Sequence, residues 1–198
     1  MSETRRQSRD PLERFDTPSW VTRALIKYGP LPRGLNVIEP MAGANAMTRV
    51  LADEGGCTVA AFDIEPRADG ITQADTLAPN FFVPLAMTHD GSTISVITNP
   101  PFSKAAALWR HAQFFRRTAL LVRITWLERT KDRDDVPDPV RVIVLPRPKF
   151  TRQGSDSATV VWACWGDWPP GIVRLGHHDR NQLLLPLPAS RLLVGAPA

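Results

Sequence analysis

The strongest constraint on this chain is a rhythm. Short apolar runs, each closed by a polar or turn-forming residue, alternate with stretches whose apolar residues recur at helical spacing. PSWVTRALIKYG has the helical period, with Pro18 in its first turn and Gly29-Pro30 closing it. Residues 36–39 (NVIE) form a short strand, a Gly/Ala/Asn turn follows, and AMTRVLADEG is a helix stopped by Gly55-Gly56. CTVAAF (57–62) is a second strand ending at Asp63, and ISVIT (94–98) is another, followed by the helical KAAALWRHAQFF. A strand over 118–124 continues the series, and the charged WLERTKDRDDVPDP is part helix and part loop. RVIVLP and ATVVWACW, joined by the polar KFTRQGSDS, close it as a strand pair. Strands alternating with helices build an α/β layer fold with a mostly parallel sheet. Such a sheet holds ligands outside the carboxyl ends of its strands. The Pro- and Leu-rich stretch beyond Trp168 yields no assignment.

Composition narrows the setting. A chain of 198 residues, 43% hydrophobic and 22% charged, has the size of one domain with a real core. No apolar stretch approaches the roughly 20 residues that cross a bilayer, and the polar MSETRRQSRDPLERFD lacks the apolar middle of a signal peptide. Cys57 and Cys164 give neither a disulfide framework nor a metal-ligand cluster, so a cytosolic protein with reduced thiols and no metal is expected. The net charge of +4 is unevenly spread: residues 103–152 hold 12 Lys/Arg and 5 Asp/Glu, while the remainder holds 12 basic and 15 acidic residues. A basic half beside an acidic half suits a polyanion held on one side. Charge alone suits a solvated basic surface equally well.

Four polar features fall at the expected strand ends. IEPMAGANAM (38–47) joins a strand to a helix. Gly43 lets the backbone turn and approach a ligand, and the helix offers unpaired N–H groups. The stretch lacks G-x-G-x-x-G, so it is not the dinucleotide fingerprint. Asp63 follows about 20 residues later, where an acid accepts hydrogen bonds from ribose hydroxyls in nucleotide sites; a strand-end turn aspartate is the plainer reading. Asp75 in QADTL belongs to the end of the next strand or the loop after it. Asn99-Pro100-Pro101-Phe102 ends the strand ISVIT with an amide, two residues without a backbone donor, and a ring.

In this order, Glu39-Pro40-x-x-Gly43, Asp63, Asp75 and Asn99-Pro100-Pro101-Phe102 resemble the motifs of S-adenosylmethionine-dependent amino-methyltransferases. Phe15-Asp16-Thr17-Pro18 is similar to the cofactor-binding N-terminal motif of adenine-specific DNA methyltransferases. LLVRITWLERTKDR and VLPRPKF look like small adenine methyltransferases of phages and prophages. The resemblance covers roughly residues 13 to 165. It implies a Rossmann-like class I methyltransferase fold, S-adenosyl-L-methionine as cofactor and DNA as partner. The organisation that goes with it is a polar segment (1–12), a catalytic domain (13–168) without a separate target-recognition domain, and a tail (169–198). Asn45 stands where the family usually has a second glycine, and asparagine tolerates the positive φ such a turn needs.

The resemblance also implies roles. Asn99 and the Pro100 carbonyl accept the two hydrogens of the target amine, Pro101 helps hold that carbonyl rigid, and Phe102 offers the base a stacking face. Phe15, Thr17 and Pro18 form the N-terminal cofactor motif, with Thr17 near the methionine carboxylate; Thr17 equally suits an N-cap. Glu39, Pro40, Gly43 and Asn45 belong to the amino-acid end, Asp63 to the ribose, Ile64 to the adenine ring and Asp75 to its amine. A stacked base cannot reach such a pocket, so base flipping is expected. Lys104, Arg123, Arg129, Lys131, Arg133, Arg147, Lys149 and Arg152 are the candidate phosphate contacts, with Trp126 as a wedge beside the flipped base. Recognition by loops within 126–156 predicts a short or relaxed target sequence. The rival readings are an amino-methyltransferase acting on RNA or protein glutamine, and a silent nucleic-acid-binding subunit. His177-His178-Asp179 is expected in a loop, Trp162 in the core, Trp168 as a surface or tail contact, and Trp165 is open to base stacking.

Overall fold

The computed structural model describes residues 16–88, 93–128, 133–148 and 159–188. In chain order these form α1 (Ser19–Tyr28), β1 (Asn36–Glu39), α2 (Ala46–Asp53), β2 (Thr58–Asp63), β3 (Thr72–Gln73), α3 (Phe82–Thr88) and β4 (Ile94–Thr98). They continue with α4 (Ala105–Ala112), β5 (Arg117–Arg123), β6 (Arg141–Val144), β7 (Val160–Gly166), β8 (Gly171–Arg174) and α5 (His177–Leu183). Single 3-10 turns, Phe102–Lys104 and Ile124–Leu127, follow β4 and β5.

One eight-stranded sheet runs in the order β3-β2-β1-β4-β5-β7-β6-β8. Every pairing is parallel except those of β7, which lies antiparallel between β5 and β6. This is the expected mostly parallel α/β sheet with its closing pair. Alternation along β5 divides the core: Ala119 and Leu121 pack with α1, α2 and α5 on one face, Leu120 and Val122 with α3 and α4 on the other. Both cysteines are buried and free, and burial pushes the Cys57 thiol up to about 11, so neither is a ready nucleophile.

Three elements differ from expectation. Helix α3, FVPLAMT, was not anticipated; its Pro84 occupies the first turn, where a missing N–H is no loss. Beyond Trp168 the chain adds β8, parallel to β6, and then α5. His177-His178-Asp179 opens that helix instead of lying in a loop: Asp179 accepts the Gly176 N–H at 2.8 Å and the Tyr28 hydroxyl at 3.0 Å. Trp168 is 5% exposed and shares a core cluster with Leu175 and Leu183 of the tail, so of its two expected settings the tail contact holds and the surface does not. Trp162 is core as expected, and its indole N–H reaches the Val21 carbonyl of α1 at 2.8 Å.

Arg23 ties the helical layer together. It grips Glu54 through Nε and Nη2 and donates Nη1 to the Leu183 and Leu184 carbonyls, joining α1 to the end of α2 and the end of α5. A guanidinium this buried is tolerable because its donors are met. No helix among the described residues is long and apolar enough to cross a membrane.

Leu121 of β5 is fully buried, and Leu121→Ala leaves a cavity between the sheet and the first helical layer. It should lower unfolding free energy by about 2–5 kcal/mol, read as a lower urea midpoint at unchanged m-value. Ile172→Thr on β8, where Ile172 is 76% exposed, should leave the midpoint nearly unchanged.

Candidate active site

A cleft opens at the carboxyl ends of β1, β2 and β4. It is lined by side chains from the turn after β1, the end of β2, the loop after β3 and the turn after β4. Of the residues expected in the site, Thr17, Glu39, Gly43, Asp63, Ile64, Asp75, Asn99, Pro101 and Lys104 line it. Pro18, Pro40, Asn45, Pro100 and Phe102 surround it without lining it, and Phe15 lies outside the described residues.

The turn after β1 is shaped by backbone chemistry. Gly43 (φ 56) and Asn45 (φ 66) both adopt left-handed conformations, so Asn45 fills the usual glycine position in the way the sequence suggests. Its side chain turns away from the cleft and donates to the Asp69 carbonyl at 3.0 Å. Asp63 at the end of β2 accepts the Gly43 N–H through Oδ2 and the Glu65 N–H through Oδ1, each at 2.8 Å. Asp75 accepts the Leu77 N–H at 3.0 Å, and Thr76 donates to the Pro40 carbonyl at 3.0 Å, fixing the loop after β3 against the end of β1.

Glu39 is 2% exposed at the bottom of the cleft. Thr48, one helical element later, donates its hydroxyl to Glu39 Oε2. Burial pushes the Glu39 carboxyl up to about 8, with the like charge of Asp63 adding and the Thr48 hydrogen bonds opposing.

At the end of β4, Asn99 donates its Nδ2 to Thr17 Oγ1 at 3.0 Å. The N-cap of α1 is Pro18, without a side-chain cap, so Thr17 serves as the amide's acceptor and not as a cap. Committing Nδ2 fixes the amide so that Asn99 Oδ1 remains the acceptor of the pair. The Pro101 carbonyl accepts the Lys104 N–H at 2.8 Å and closes the 3-10 turn. Over the Phe102 ring lies the Arg123 guanidinium, 4.8 Å from the centroid, so one face of the expected stacking surface is covered.

Sequence reasoning missed a second cation at the cleft. Arg67 lines it and pairs with Asp16 at 2.8 Å, bridging the N-terminal segment and the loop after β2. Nothing local marks Arg67, because its partner stands 51 residues away.

The expected phosphate contacts divide. Lys104, Arg123 and Arg147 are exposed; Arg129, Lys131, Lys149 and Arg152 lie outside the described residues, as do 129–132 and 149–156 of the proposed recognition region. Arg133 is corrected: it is 1% exposed, stacks on Trp126 at 4.6 Å and donates to the Trp126 carbonyl, so it is structural and out of reach of a phosphate. Trp126 is half-buried beneath it and edge-on to Trp165, which leaves it little freedom as a wedge. Trp165 is 6% exposed, with its N–H on the Pro137 carbonyl, and offers no face to a base. Several other basic residues of the 103–152 region are engaged away from the cleft: Arg110 with Asp135, and Arg116 and Arg117 with Asp167.

Three solved structures share the fold. The methyltransferase subunit of a type I restriction-modification system from Streptococcus thermophilus matches with a TM-score of 0.58 at 10% identity, over 85% of this chain and 51% of that one. A modification subunit from Vibrio vulnificus YJ016 matches at 0.57 and 13% identity, over 86% and 52%. A dimethyladenosine transferase from Plasmodium falciparum matches at 0.51 and 14% identity, over 79% and 63%. The chain therefore spans about half the length of the first two. The fold is the Rossmann-like α/β fold of methyltransferases. No family model and no curated protein matches the sequence.

The Glu39 carboxyl predicts a pH dependence. Its folded pKa of about 8 exceeds the ordinary 4.5, so between those values the native state holds a proton that the unfolded chain has released. Its contribution to stability is complete below the lower value and declines as pH rises to the higher one. Melting temperature should fall more steeply over that window in the wild type than in Glu39→Gln; parallel curves would show an ordinary carboxylate.

Proposed function

We propose that this chain transfers a methyl group from S-adenosylmethionine to the exocyclic amino group of adenine in DNA. The observation that carries the reading is the Asn99 amide, anchored by Thr17 at the end of β4 beside the cleft that Glu39, Asp63 and Asp75 also line.

The cleft suits the cofactor. Among the described residues the neighbours of buried Glu39 are Thr48 and the like-charged Asp63, so a cationic ammonium or sulfonium group would restore the carboxylate. Ile64, 56% exposed on the cleft wall, offers an apolar face to an adenine ring. Asp63 and Asp75 each keep lone pairs beyond their backbone bonds for ribose hydroxyls and an adenine amine. Glu39 and Gly43 take the amino-acid end, with Thr17 near the carboxylate. When bound, the cofactor supplies an activated methyl group.

The protein's part is to prepare the amine. An aromatic amine is a weak nucleophile because its lone pair is delocalised. Acceptance of its two hydrogens by Asn99 Oδ1 and the Pro100 carbonyl favours a pyramidal nitrogen and stabilises the charge that develops on it. Two prolines restrict the backbone that carries these acceptors, which reduces reorganisation during reaction. A duplex adenine enters only after flipping out of the stack. DNA is favoured by the Asp16-Thr17-Pro18 motif, with its Phe15, and by the restriction-modification assignment of the Streptococcus relative in fold. Adenine is favoured by the Plasmodium transferase.

Methyl transfer from labelled S-adenosylmethionine to unmethylated DNA, followed by nucleoside analysis, should place label on adenine. Label on RNA or protein alone would overturn the substrate, and failure to bind the cofactor would favour a silent subunit. Asn99→Ala should lower turnover on the order of a hundredfold or more while cofactor affinity stays nearly intact. Thr17→Val should lower kcat roughly tenfold through the loosened amide. A loss confined to cofactor affinity would assign Thr17 to the methionine carboxylate alone.

A further inference from the structure

A second concavity lies on the same edge of the sheet, where β5, β6 and β8 end and β7 begins. Ile124, Leu145 and Leu175 give it apolar walls, and Arg147, Arg174 and His177 add three basic side chains; among the described residues no acidic one lines it. We propose that this groove holds the sugar-phosphate and base of a DNA nucleotide flanking the methylated adenine, a reading that rests on the proposed function.

Three observations carry it. The first is rigidity: at this edge the Ile124, Leu145 and Leu175 N–H groups are bonded to the Thr159, Val160 and Val144 carbonyls at 2.9, 3.1 and 2.9 Å. The groove is thus a fixed feature of the sheet edge. The second is charge complementarity. No salt bridge engages Arg147 or Arg174 among the described residues, whereas Arg110, Arg116 and Arg117 are paired elsewhere. Exposed guanidinium groups beside an apolar wall match a phosphate joined to a nucleoside. The third is continuity with the reaction centre. Arg123 directly precedes Ile124 and lies on the Phe102 ring of the Asn-Pro-Pro-Phe turn, while Ser103 and Lys104 of that turn line the cleft. A strand leaving the cleft over Lys104 and Arg123 meets the groove next.

The added strand β8 creates this site. Its register pairs Arg174 with Val144, so Arg174 ends beside the segment that carries Arg147. Without β8 the β6 edge would present only its own side chains.

The test compares Arg147→Ser/Arg174→Ser with Arg110→Ser/Arg116→Ser, which removes the same charge away from this edge. Binding to a fluorescein-labelled duplex DNA is followed by anisotropy over a salt series, with cofactor affinity measured alongside as a check on folding. The groove variant should lose on the order of tenfold or more in DNA affinity and about 2 from the salt slope, raising KM at unchanged kcat. The control should lose far less. Equal losses in both variants, or undiminished DNA affinity in the groove variant, overturn the proposal. A loss seen only with RNA of the same sequence overturns the assignment to DNA. DNA binding that depends on the groove without methylated adenine would sustain the groove and overturn the proposed reaction. Methylation that ignores both arginines would do the reverse, and a wild type that binds no DNA would overturn both.

Discussion

The site depends on one constraint, the position of β1 between two parallel neighbours reached in opposite directions. From β1 the chain crosses through α2 on one face to β2, then returns through α3 on the other face to β4. The connections diverge at this point, and the carboxyl ends of β1 and β4 border an open crevice. Glu39 and Asn99 end those two strands and face that crevice because the register holds Val37 opposite Ser95 and Ile38 opposite Val96. The expected binding end of the sheet and the expected catalytic turn are thus two consequences of one strand order.

Within the crevice, polar side chains are fixed before any ligand arrives. Asp63 braces the glycine turn, Thr76 braces the loop after β3, and Thr17 braces the Asn99 amide. Each bond removes rotational freedom that a ligand would otherwise have to freeze. Glu39 is the exception: its carboxyl is held by a threonine hydroxyl in a buried position and raised to about 8, an arrangement suited to a positively charged guest. Local order and an unmet electrostatic preference occupy the same pocket, as expected of a functional site.

Much of this was legible in sequence because the strands of an α/β sheet announce themselves. NVIE and ISVIT coincide with β1 and β4, and the residue that stops each run is the one the site uses. The unread elements lack such signals: α3 carries a proline, and β8 is a mostly exposed edge of four. The unread contacts share another cause. Asn99 meets Thr17 across 82 positions and Arg67 meets Asp16 across 51, so no local pattern records them. The basic count of residues 103–152 overstated the ligand-facing charge for a third reason: side chains at the amino ends of strands and in the core balance local acids or aromatic faces, as Arg117 and Arg133 do.

What lines the cleft also limits the chemistry it can perform unaided. Among the described residues its lining includes an amide, hydroxyls, carboxylates and two cations, Arg67 and Lys104, but neither histidine nor cysteine. Both cysteines are buried in the core, and burial raises their thiol pKa values. Asp63 and Asp75 already accept backbone hydrogen bonds that fix their side chains in place. The described lining thus offers neither a sulfur nucleophile nor an imidazole. It suits a reaction in which the electrophile arrives activated and the protein has only to orient a neutral nucleophile and accept its hydrogens. Amine methylation has those requirements, and the role proposed for Asn99, held by its donor end, is to meet them.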